Sequence, residues 1–143
     1  MEAFRAVMAQ VQALAAAERE FASVVGSWAG DPAVPDDQRV CFARLVRHAA
    51  WRADQWASLA PTPAGLVVDG LGAFAAPIAG LRQGVDGSAA AAVLGQLWAL
   101  ASQLAAADPV GQAAVQRVAR RVRGDLEADL ELLGAESGDV LAR

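Results

Sequence analysis

The sequence predicts an all-α fold, a four-helix bundle, and three observations carry that prediction. Apolar residues recur at the three-and-four spacing of a helix face in four long segments, Gly and Pro punctuate the joints, and no stretch alternates as a half-buried strand would. Hydrophobic residues make up 55% of the chain and charged ones only 20%, so a large part of every helix must face protein. At 143 residues one core forms without staples.

The first segment, about residues 2–28, places Phe4, Val7, Met8, Val11, Leu14, Ala15, Ala22, Val25 and Trp28 on one stripe, and Gly30, Pro32 and Pro35 in AGDPAVPDD stop it. The second, about 36–59, begins at Pro35, whose fixed φ suits a first helical position. Asp36 and Asp37 complement the positive end of its dipole, and Pro61 and Pro63 end it. The third, 88–107, takes Ser88 as N-cap and carries Val93, Leu97, Leu100 and Leu104 as a bundle seam. The fourth, 109–133, follows the cap Asp108 and Pro109 and runs through Val115, Val118, Val122, Leu126, Leu130 and Leu133 to Gly134. The few residues joining the last two segments make them antiparallel neighbours. Residues 1–135 form one domain in this reading, and 136–143 a loose tail.

The connection over 60–87 is far longer than a tight turn and apolar throughout. Its stretch LVVDGLGAFAAPIAGLRQ has Asp69 as a cap and then a short extra helix interrupted by Pro77 and Gly80. Two close helix pairs joined by one long crossover resemble the ferritin-like four-helix bundles over residues 2–134. That resemblance implies a di-iron centre with a Glu from each of two helices and a Glu-x-x-His from each of the other two. The ligands for it are absent from the sequence: His48 is the sole histidine, Leu45 stands three before it, and the third helix has no acidic residue.

One carboxylate still lies on an apolar stripe. At about 100° per residue Glu18 falls on the face of Phe4, Val11, Ala15, Ala22 and Val25, roughly where a ferritin-like protein keeps its first metal-binding glutamate. A charge placed there must be paired or neutralised. On the second helix Phe42, Leu45, Val46, Ala49, Ala53 and Trp56 share a sector with Arg52 on its shoulder and His48 further round. Glu18 is therefore expected to meet Arg52, with His48 as the alternative, in a candidate polar site of Glu18, His48 and Arg52. Cys41 and His48, seven residues or about 10 Å apart along the helix, are too distant for a nucleophile and its base. DGLGAF and GLRQGVDG follow no strand, so neither reads as a phosphate loop.

Composition narrows the partners. All twelve basic residues are arginine and the net charge is −4, which offers nucleic acid or an anionic membrane no general attraction. The basic run of Arg117, Arg120, Arg121 and Arg123 is followed at once by Asp125, Glu127, Asp129 and Glu131, which reads as a self-neutralising solvated face. A lone Cys41 allows no internal disulfide, and the charged first twenty residues form no signal peptide; a cytoplasmic location is expected.

Trp51 lies on nearly the opposite side of the second helix from Trp56, among Arg44, Arg47, His48 and Gln55. An exposed indole there asks for a cover. The apolar crossover, through Leu66, Val67, Val68, Leu71, Phe74 and Ile78, is the expected one. The alternatives are a second copy of the chain, or a small hydrophobic ligand whose polar end Arg47, His48 or Gln55 would fix. The functional expectation is a non-catalytic bundle without cofactor, acting as a homo-oligomer or with a protein partner. An enzyme or small-molecule-binding protein with its site near Glu18, His48 and Arg52 is the alternative.

Overall fold

The computed structural model describes residues 2–59, 70–107 and 112–142, with side chains as far as Gly134. Among them the chain is all-helical. Five helices, α1 (Glu2–Ala29), α2 (Asp36–Ala57), α3 (Ala75–Leu81), α4 (Gly87–Ala106) and α5 (Ala113–Ala142), are joined by a 3₁₀ turn, Gly72–Phe74, that runs into α3.

Seam residues explain how these helices pack. Val11, Leu14, Phe21, Val25 and Trp28 on α1, Phe42, Leu45, Ala49 and Trp56 on α2, Ala90, Leu94, Leu97, Ala101 and Leu104 on α4, and Val115, Ala119, Val122, Leu126 and Leu133 on α5 are all buried. Each set advances by threes and fours, with one charged residue completing the series on α1, α2 and α5, so every long helix presents one continuous stripe. α1 packs along α2 and α4 along α5; α2 meets α5, and α3 lies against both α1 and α4. At one end of the first pair Trp28 sets its ring edge-on to Phe42, centroids 5.3 Å apart.

The short α3 buries Ile78 and Leu81, with Phe74 of the preceding turn, and an exposed ion pair between Arg82 and Glu20 ties its end to α1. Pro77 does not interrupt α3, contrary to the sequence expectation. It sits in the first turn, where backbone N–H groups have no intrahelical acceptor, so the missing donor costs nothing. Gly80 is likewise inside the helix.

Other boundaries shift for local reasons. Pro35 is the N-cap of α2 rather than its first helical residue, and its carbonyl accepts from Arg39 N at 2.9 Å. The cap of α4 is Asp86, not Ser88: its carboxylate accepts from Ser88 N at 3.0 Å and Ala89 N at 3.1 Å, the stronger acceptor winning the start of the helix. α5 continues past Gly134 to Ala142, so residues 136–142 of the segment read as a loose tail are helical; glycine lowers helix propensity without forbidding a helix. The expected roles of Pro61, Pro63, Leu66, Val67, Val68, Asp69, Asp108 and Pro109 lie outside the described residues. With 20 residues and no charge, α4 is long and apolar enough to cross a bilayer, and here its seam is buried in the bundle.

Candidate functional site

Three of the four long helices bring one charge each to a seam position: Glu18 on α1, Arg52 on α2 and Asp129 on α5, all with 0% exposure. The three-and-four spacing that buries the apolar neighbours buries these as well, so their charges must be answered inside the protein. Arg52 answers them. Its Nε donates to Glu18 Oε1 at 2.9 Å, and its Nη1 donates to Asp129 Oδ2 at 2.6 Å and to Asp125 Oδ2 at 2.8 Å.

His48, one helical turn before Arg52, extends the cluster towards solvent. Its Nδ1 lies 2.6 Å from Asp129 Oδ1, so Asp129 spends one oxygen on the guanidinium and the other on the imidazole. The side chains of His48 and Asp125 are 37% and 24% exposed, which makes them the mouth of an otherwise closed site. Glu18 Oε2 and Arg52 Nη2 have no hydrogen-bond partner among the described residues.

Electrostatics follow from this inventory. Burial pushes the Glu18 carboxyl up to about 7; the Arg52 charge and hydrogen bond pull it down by less, and the Asp129 and Asp125 charges add to the rise. Burial disfavours the Arg52 cation, yet Glu18 first and Asp129 second outweigh that and move its pKa upward. Three carboxylates thus face a single fixed cation, and the cluster has negative charge to spare. His48, Asp125 and Asp129 also have ligand atoms within 4.8 Å of one another, a set able to grip a divalent cation through one imidazole and two carboxylates.

Of the residues singled out in the sequence, Glu18, Arg52 and His48 come together in this cluster, with Arg52 rather than His48 holding Glu18. Asp125 and Asp129 do not belong to a solvated face, as their place in the charge run suggested. Asp129 is fully buried because it continues the seam Val115, Ala119, Val122, Leu126, and Asp125 stands one turn away on the same side. Trp51, Arg47 and Gln55 lie outside the cluster, and Trp51 is 41% exposed. The described part of the crossover does not cover it: Phe74, Ile78 and Leu81 belong to elements packed on α1 and α4. No family model, curated protein or solved structure matches this chain.

Proposed function

We propose that this chain is a ferritin-like bundle organised around a guanidinium instead of a di-metal centre, and that it acts without catalysis, through self-association or a protein partner. The observation that carries this is Arg52, fully buried, with hydrogen bonds to carboxylates from both α1 and α5. A covalently fixed cation holds the place where inward carboxylates converge, and it has neither an open coordination position nor redox chemistry. The order of helix contacts supports the ferritin-like reading: two helix pairs, α2 against α5, and a crossover helix wedged at the remaining edge.

Function then falls to the outer surface, where Trp51 on α2 is 41% exposed and no described residue of the crossover covers it. Metal analysis of the purified protein with its mass in solution tests the reading. A metal-free oligomer is the expected result; two equivalents of iron or manganese per chain would overturn it.

The cluster's mouth favours a second reading, a protein that binds a single divalent cation through His48, Asp125 and Asp129, with Arg52 holding Oδ2 of each carboxylate in place. Titration with zinc or manganese decides between the two. Stoichiometric binding that His48→Ala abolishes would favour the second reading, and its absence the first.

A further inference from the structure

We infer that the outer face of α2 is a two-fold interface with a second copy of this chain, the two α2 helices packing antiparallel about a point near position 49. The inference rests on the self-associating bundle proposed above and names its contact. Five exposed residues of α2 and its C-cap run down this face: Val40, Arg44, Arg47, Trp51, Asp54 and, as the cap, Ser58. Their spacing of four, three, four, three and four reads the same in either direction. In an isologous interface each position of a stripe must meet a position of the same stripe on the other copy, and a palindromic spacing meets that condition in an antiparallel pair.

Reversal about position 49 sets 40 against 58, 44 against 54 and 47 against 51. The chemistry of the two inner pairs is complementary. Arg44 of one protomer meets Asp54 of its partner as opposite charges, and Arg47 meets the Trp51 indole as a cation over an aromatic face, each contact occurring twice. A parallel pairing would set Arg44 on Arg44, Arg47 on Arg47 and Asp54 on Asp54, so charge specifies the antiparallel arrangement.

These groups are not spent within one copy. Among the described residues no hydrogen bond or ion pair engages the side chains of Arg44, Arg47, Trp51 or Asp54. Ala43 and Ala50, both exposed beside the stripe, are small enough to let two helices approach. Trp51 supplies the buried aromatic anchor that an interface of this kind needs at its centre.

Sedimentation equilibrium on the full chain tests the assignment, with circular dichroism to verify the fold of each variant. The wild-type chain is expected to be a dimer. Asp54→Arg, which opposes Arg44 of the partner, and Arg44→Asp, which opposes Asp54, should each weaken the dimer about tenfold or more, and the double exchange should restore it. Trp51→Ala should dissociate it at unchanged helicity. A wild-type monomer at the highest soluble concentration would overturn both this interface and self-association. A dimer indifferent to all of these substitutions would overturn this interface alone, and single variants that dissociate without rescue by the double exchange would overturn the register.

Discussion

The seams of α4 and α5 follow the same spacing and are buried alike, yet α4 fills its stripe with Ala90, Leu94, Leu97, Ala101 and Leu104 while α5 places Asp129 between Leu126 and Leu133. Periodicity decides which positions go inside; it is indifferent to what stands there. An apolar seam is satisfied by any surface of the right shape, so the seam of α4 is held by packing alone. A charged seam residue is satisfied only by a particular partner at hydrogen-bond distance, and Glu18, Arg52 and Asp129 therefore fix α1, α2 and α5 in one mutual register.

The largest effect should come from removing the centre of the charged layer. Arg52→Met leaves Glu18 and Asp129 buried without their counter-ion, and unfolding in urea should show a loss of about 3–5 kcal/mol. Replacing the layer as a whole, Glu18→Leu with Arg52→Met and Asp129→Leu, should return stability to the wild-type level or above it. Buried ion clusters lose in desolvation much of what they gain in attraction, and two atoms of this one lack partners among the described residues. A triple variant as unstable as Arg52→Met would show that the ions contribute more than register.

In the apolar seam the counterpart is Leu97→Ala. Deleting a fully buried leucine side chain should cost about 3 kcal/mol through lost transfer energy and the cavity left behind. The loss should be the same at every pH at which the protein folds, because α4 has no titratable group in its seam. A pH-dependent loss at Leu97 would break the contrast between the two seams.

Much of this was legible in the sequence, and the reason it stopped short is physical. Glu18 stands alone among apolar neighbours on α1, so its burial and need of a cation followed from position, and Arg52 was the cation on the facing stripe. Asp129 was obscured by Leu130. Reading 122, 126 and 130 as the stripe satisfies the apolar count by taking two steps of four. The true seam continues by three to Asp129 and uses the small Ala119 instead of Val118. Nearby arginines offered Asp125 an equally good local partner on the helix surface, and only the packing of α2 against α5 decides between that and Arg52. Trp51 shows the opposite limit: its outward position follows from the helix period, while the cover expected from the crossover depends on where that segment packs, and its described part packs on α1 and α4.

The charged layer should also leave a signature in the pH dependence of stability. With its folded pKa raised from 4.5 to about 7, Glu18 holds a proton more tightly in the folded state than in the unfolded chain. Its contribution is then fully present below about 4.5 and is lost as pH rises through about 7, so stability falls across that window. Denaturant midpoints taken from pH 4.5 to 8 should show this fall in the wild-type chain, and Glu18→Gln should flatten it. A wild-type curve that rises between these values would mean that Glu18 is ionised throughout and that Arg52 dominates its environment.

The smallest effect should come from the outer edge of the α4–α5 pair, where Trp98 Nε1 donates to Glu127 Oε1 at 3.1 Å in an exposed position. This is the one described side-chain hydrogen bond between those two helices, and it joins the apolar seam's helix to the charged one. Water can replace either partner, so Glu127→Gln should change stability by no more than about 0.5 kcal/mol. The same carboxylate-to-amide change at Asp129, buried between Arg52 and His48, should cost several times as much. If the two substitutions cost the same, burial would not be what separates the working charges of this bundle from its ornamental ones.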